Sequence, residues 1–136
     1  MIILTQPNFF HQGALTLASS TNNGVSMQDI YAHPTLAFLY VMTFNNGING
    51  YTQNTTTGAL TAMTGSPFFS GTYNIVFLSF DNAGNFAYGG DTAATTASVL
   101  CLAVNQTTGA LTYSSTTSAD NVTTSAFVNS TICVNI

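Results

Sequence analysis

The sequence predicts an all-β protein built from repeated four-stranded antiparallel units. The tetrapeptide Gly-Ala-Leu-Thr occurs three times, beginning at Gly13, Gly58 and Gly109, so successive copies lie 45 and 51 residues apart (13 to 58, then 58 to 109). Short apolar runs and turn-forming residues alternate along the chain, and no segment sustains the spacing of an amphipathic helix. A repeat of this length matches one four-stranded blade of a β-propeller.

The first part of the chain predicts two strands, at residues 2–6 and 14–19, which correspond to the third and fourth strands of a unit. Leu4-Thr5-Gln6 precedes the first Gly-Ala-Leu-Thr, as Leu102-Ala103-Val104 precedes the third. A polar stretch ending in Gly between two apolar runs predicts a hairpin, because Gly adopts the positive φ that closes the turn. Gly13, Gly58 and Gly109 are therefore the predicted turn glycines of the repeat.

Two complete units follow, each with four short predicted strands. Phe38-Leu39-Tyr40-Val41 matches Phe86-Ala87-Tyr88-Gly89 at an offset of 48 residues, which sets the two units in register. Asn46-Gly47 and Asn49-Gly50 are both expected to form turns between strands. The predicted strands of the two units are 26–32, 36–43, 48–53 and 59–63, then 74–80, 85–90, 97–104 and 110–114.

The remaining residues predict the first two strands of a further unit, at 126–128 and 132–134. The chain therefore divides into a half-blade at 1–24, blades at 25–71 and 72–121, and a half-blade at 122–136. Three blades are too few to close a ring, since propellers use about four to eight. Strand edges without Lys favour pairing with another chain. We expect strand exchange between copies, as a closed ring or an open filament; the alternative is a truncated piece of a longer propeller.

A family resemblance follows from these motifs. The pattern resembles the lactonase-type (YVTN-like) seven-bladed β-propeller repeats, and it is carried by Phe38-Leu39-Tyr40-Val41, Tyr51, Asn54, Thr57 to Thr61, and Gly65-Ser66-Pro67-Phe68 with Gly71. For the sugar-lactone hydrolases of that family, the resemblance implies a polar pocket at the central channel that uses basic and acidic residues together. This chain has no Lys, Arg or Glu, so no catalytic residue is transferred to it.

The composition excludes several classes of function. Only 3% of residues are charged, and all of these are aspartates, which give a net charge of −4. Binding to nucleic acid or to anionic membranes depends on Lys and Arg, which are absent. No apolar run approaches the length of a membrane span. A surface of Thr, Ser, Asn and Gln is typical of extracellular or cell-surface proteins.

A few residues are candidates for modification or chemistry. Cys101 and Cys133 lie in apolar, strand-like runs, and either pair as a disulfide or remain two buried thiols. His33 aligns with Asp81 of the next unit, and both are expected to cap the turn between the first two strands rather than to act in a channel. Four N-x-[ST] sequons are candidate glycosylation sites, at Asn54, Asn105, Asn121 and Asn129.

No motif for a nucleophile, a metal or a cofactor is present, so we expect no enzymatic activity and no cofactor. The favoured function is a structural protein that assembles with copies of itself through exposed blade edges, into an oligomer or a filament. One alternative is a binding module that presents a propeller face to a glycan or a protein. The other is a fragment of a lactonase-like hydrolase.

Overall fold

The computed structural model describes residues 2–5, 16–20, 24, 26–44, 46–91 and 98–118. Within these ranges the chain forms ten β-strands and no helix, which confirms the all-β prediction. The strands are β1 (Ile2–Thr5), β2 (Thr16–Ser20), β3 (Met27–Ala32), β4 (Phe38–Thr43), β5 (Ile48–Gln53), β6 (Leu60–Ala62), β7 (Ile75–Phe80), β8 (Phe86–Asp91), β9 (Ser98–Val104) and β10 (Leu111–Ser118).

The ten strands form three separate antiparallel sheets. Strands β1 and β2 pair only with each other and are called the ribbon. Strands β3, β4, β5 and β6 form the first sheet in that order, and β7, β8, β9 and β10 form the second. Every neighbour in a four-stranded sheet is therefore also the next strand in sequence, as short hairpin connections require.

The predicted strands of the two complete units are confirmed, with one extension. Strand β10 was expected at 110–114 but continues to Ser118. A bulge between Tyr113 and Ser115 shifts the register, after which the strand goes on pairing with β9 as far as Ser98. The predicted strands at 126–128 and 132–134, and the turn at Gly13, lie outside the described residues.

The predicted turn at Asn49-Gly50 is wrong, because both residues lie inside β5. Gly50 pairs with Tyr40 across the sheet, and a Cβ at this position would lie 2.7 Å from the Met63 sulfur and 2.7 Å from the Phe68 ring. Gly50 is therefore required by close packing above the strand and not by a turn. Gly47, in contrast, does lie in the β4–β5 turn, with a φ of 71°.

The core lies between the first and second sheets. In β9 the burial alternates, with Leu100, Leu102 and Val104 buried and the residues between them half-buried. Successive strand residues point to opposite faces of a sheet, so one face of the second sheet packs into the core. Opposite this face, Tyr40 and Met42 of β4 are fully buried. Full burial of such side chains contributes about 1.5–3 kcal/mol each.

Candidate functional site

The Gly-Ala-Leu-Thr turn has the same geometry in both four-stranded sheets. The Asn54 side-chain oxygen accepts hydrogen bonds from the backbone N–H groups two and three residues later, and Asn105 repeats the arrangement, all at 2.9–3.0 Å. Gly58 and Gly109 close these turns with φ values of 73° and 74°. The repeated tetrapeptide thus corresponds to a repeated turn with an Asn at its start and a left-handed Gly at its end.

Two of the four candidate glycosylation sites lie in these turns. Asn54 and Asn105 are exposed, and each uses its side-chain oxygen to hold the turn. Asn121 and Asn129 lie outside the described residues. The use of any of these sequons stays a prediction.

His33 joins the two four-stranded sheets. Its Nδ1 accepts hydrogen bonds from the backbone N–H groups of Thr35 and Leu36, at 3.2 and 3.1 Å. Because Nδ1 is an acceptor, the proton resides on Nε2, which lies 2.9 Å from the Gly84 carbonyl oxygen of the second sheet and donates to it. The ring is 5% exposed. His33 therefore caps the β3–β4 turn, as expected, and also holds the β7–β8 turn of the other sheet.

Tyr40 makes a second polar link across the same core. Its hydroxyl donates to the Gly109 carbonyl oxygen at 2.7 Å, and its ring packs against Phe80 with the centroids 5.4 Å apart. Burial raises the pKa of Tyr40 well above its ordinary value of 10.0, since the phenolate would be formed away from water. The hydroxyl is therefore held as a neutral donor.

The described carboxylates all accept hydrogen bonds from the backbone. Asp29, Asp81 and Asp91 each accept a hydrogen bond from a backbone N–H, at 2.8, 2.9 and 2.8 Å respectively. Asp81 caps its turn in this way, as the alignment with His33 predicts. Among the described residues, no three His, Cys, Asp or Glu side chains cluster as a metal site would require.

Cys101 is a half-buried thiol at the middle of β9. Its proposed partner, Cys133, lies outside the described residues, so the disulfide stays a prediction. Cys101 pairs with Tyr88 of β8, and cross-strand partners share a face of the sheet. The thiol therefore lies on the face of the second sheet that points away from the core.

This outward face of the second sheet carries an exposed aromatic side chain among half-buried neighbours. Register and alternation assign to it Phe86 and Tyr88 of β8, Cys101 and Ala103 of β9, and Ser79 of β7. All five are half-buried or exposed. Partial burial, with the nearby Cys101 and Asp81, raises the pKa of Tyr88 and keeps its hydroxyl neutral.

The same positions in the first sheet are buried. Phe38 and Tyr40 are 9% and 0% exposed, whereas Phe86, which aligns with Phe38, is 40% exposed. Tyr88 aligns with Tyr40 and has no hydrogen-bond partner for its hydroxyl in the part of the chain that the structure describes. Among the described residues, this face is therefore buried in the first sheet and more exposed in the second.

Comparisons with known proteins add no relative. No protein-family model matches the chain, and no curated protein or solved structure matches it significantly. In the described residues there is also no helix long and apolar enough to cross a membrane. The resemblance to lactonase-type repeats thus depends on the motifs of the chain itself.

Sequence reasoning missed the two polar links between the sheets. The alignment placed His33 and Asp81 at equivalent turns, but nothing in the local sequence showed that His33 reaches Gly84, 51 residues away. Tyr40 was recognised only as part of an aromatic strand motif. A Tyr recurs at the equivalent position of the next unit, as Tyr88, but its hydroxyl makes no such link within the described residues.

Proposed function

We propose that each four-stranded sheet is a blade of the lactonase-type propeller repeat, and that the chain is a non-enzymatic structural protein that assembles with copies of itself. Three features support the blade assignment: consecutive antiparallel strand order, an identical turn in both sheets, and face-to-face packing of one sheet on the next. Ring closure, the number of blades and the form of the assembly belong to this proposal.

The single observation that carries the proposal is the incomplete pairing of the ribbon. In the repeat, β1 and β2 correspond to β5 and β6 or to β9 and β10, which lie beside two further strands in each sheet. In the described residues β1 and β2 pair only with each other. A two-stranded ribbon is marginally stable alone, and an edge without a partner strand offers its N–H and C=O groups to another chain.

The chemistry of the edges supports the same conclusion. Natural edge strands are commonly protected by charged side chains, above all Lys, and this chain contains no Lys or Arg. The outer edge strand of the second sheet, β10, has eight residues and no charged one. Strand addition from a copy of the chain would satisfy such an edge. An extracellular or cell-surface location agrees with this uncharged surface.

Sedimentation velocity over a range of protein concentrations tests the proposal. We expect species much larger than the 14.2 kDa chain, and electron microscopy should show rings or filaments of repeating sheets. Ile3→Lys on β1 should weaken assembly, because a charged side chain on an edge strand disfavours pairing with a strand of another chain. Thr55→Lys, in the exposed turn after β5, adds the same charge away from the edge and is the control. A chain that remains monomeric at every concentration would rule out self-assembly.

A pair of stacked tyrosines favours a second candidate function, the binding of a glycan. The Tyr73 and Tyr113 rings lie 6.3 Å apart and are nearly parallel, at 8°. Tyr113 is exposed, and sugars pack their apolar faces on such rings. A glycan array that detects a ligand, with the signal lost in Tyr113→Ala, would support this candidate; an array without any ligand would remove it.

A further inference from the structure

We propose that the outward face of the second sheet binds the ribbon of a second copy of this chain, in the way that the first sheet packs on the second within one chain. This inference rests on the proposed self-assembly and names the two surfaces that meet. The contact is heterologous, since one copy contributes a sheet face and the next contributes a ribbon. Such contacts build closed rings or open filaments according to the rotation between copies.

The interface inside the chain supplies the pattern for this contact. There, Phe38 and Tyr40 of the first sheet pack against the face of the second sheet that carries Leu100 and Leu102. Those two leucines are fully buried, and they occupy the third strand of their unit. A sheet that covers Phe86 and Tyr88 in the same manner needs apolar residues at the equivalent two positions of a third strand.

The ribbon carries apolar residues at these positions. When Leu4-Thr5-Gln6 is aligned with Leu102-Ala103-Val104, Leu4 corresponds to Leu102 and Ile2 to Leu100. The observed register agrees with this alignment, because Leu4 pairs with Leu17 in the ribbon as Leu102 pairs with Tyr113 in the second sheet. Ile2 and Leu4 therefore hold the positions that fill the internal interface.

Charge and hydrogen bonding favour the same partner. The ribbon strands contain no charged residue. The carboxylate beside the outward face, Asp81, already accepts a hydrogen bond from the Phe86 backbone N–H at 2.9 Å. Tyr88 offers a neutral hydroxyl at the position from which Tyr40 donates to a turn carbonyl of the following sheet. A partner built from the same repeat brings such a carbonyl, whereas an unrelated apolar surface does not.

A mixing experiment tests the two surfaces separately. Phe86→Asp places a carboxylate on the outward face, and Leu4→Asp places one on the ribbon; each variant retains the other surface intact. We expect each variant alone to sediment as a monomer, and an equal mixture to form a 1:1 dimer of twice 14.2 kDa and nothing larger. Phe44→Asp is the matched control, because Phe44 is 55% exposed and lies outside the face; it should assemble like the unsubstituted chain.

The outcomes separate this inference from the proposed function. If the unsubstituted chain assembles but Phe86→Asp and Leu4→Asp do so equally well, self-assembly stands and the contact proposed here is wrong. The inference is also wrong if both variants are monomeric but form no mixed dimer. That result is expected if the outward face is covered by its own chain, or if it pairs with the same face of another copy. If the unsubstituted chain never assembles, both proposals fail.

Alkylation of Cys101 provides a test that needs no substitution in either surface. In a Cys133→Ser chain under reducing conditions, Cys101 is the remaining thiol and lies on the outward face. We expect its reaction with a maleimide to slow by about tenfold as the protein concentration rises from the monomeric to the assembled range. A rate that is independent of concentration would overturn the inference, whether it is fast or slow.

Discussion

Replacing Tyr40 by Phe removes one hydroxyl from the core and leaves the ring in place. The hydroxyl donates to the buried Gly109 carbonyl oxygen at 2.7 Å, and the ring itself is fully buried. Loss of the donor leaves that carbonyl without its partner, which costs about 1–3 kcal/mol of unfolding free energy. The substitution therefore measures the polar link between the two sheets with little change in packing volume.

Urea unfolding followed by circular dichroism measures this loss, at a protein concentration where the chain is monomeric. With a denaturant slope of about 2 kcal/mol/M, the midpoint should fall by about 0.5–1.5 M. Tyr88→Phe is the matched control, because the Tyr88 hydroxyl has no partner in the described residues, and its midpoint should stay unchanged. A shift below about 0.2 M for Tyr40→Phe, or equal shifts for both variants, would refute the reasoning.

Three further predictions concern the same core. His33→Ala should lower the unfolding free energy by about 3 kcal/mol in urea titrations, because two part-buried N–H groups lose their acceptor and the ring leaves a cavity, while the Gly84 carbonyl keeps its hydrogen bond from Gln106; a loss under about 1 kcal/mol would contradict the bridging role. Gly109→Ala should cost about 1–3 kcal/mol more than Gly71→Ala, because both glycines have a φ near 74° but only the Cβ at Gly109 would overlap the Met63 side chain; equal losses would contradict this. Alkali should also destabilise the fold, because the pKa of Tyr40 is higher in the folded than in the unfolded state. The contribution of Tyr40 to the unfolding free energy is therefore complete below about pH 10 and falls as the pH rises further. The unfolding free energy of Tyr40→Phe should fall less than that of the unsubstituted chain between about pH 9 and 11. Parallel pH profiles for the two proteins would contradict that prediction.

The strands could be predicted because their signal is local. Alternating apolar residues, Asn at the start of a turn and Gly at its end recur at a fixed spacing, and hairpin pairing follows from chain order. Strands β3 to β9 accordingly begin and end within about two residues of the predicted positions. The extension of β10 was missed because it depends on a bulge, which is a property of the strand pair and not of one strand.

Gly50 shows where local reasoning fails. Asn49-Gly50 has the composition of a hairpin turn, yet both residues lie within β5 because the side chains of Met63 and Phe68 pack directly above that strand. An Asn-Gly pair indicates only that the backbone is able to turn at that position. Whether it does so depends on residues more than ten positions away.

The candidate site was only partly predictable. The turn roles of His33 and Asp81 followed from their alignment in the repeat. The outward face of the second sheet required the structure, since Phe86 and Phe38 occupy equivalent positions of the repeat but differ in exposure, at 40% and 9%. Burial is decided by what lies opposite a face, and strand periodicity alone does not provide that information.

By itself the sequence determined the all-β class, the four-stranded unit, the positions of most strands and the absence of basic groups, because each is a property of residues close together along the chain. Only the tertiary structure decided which face of each sheet is covered, and that His33 and Tyr40 hold one sheet to the next. The physical reason is that packing and hydrogen bonds between sheets join residues 51 and 69 positions apart. No local pattern specifies which of two equivalent faces is covered within the described part of the chain and which is more exposed.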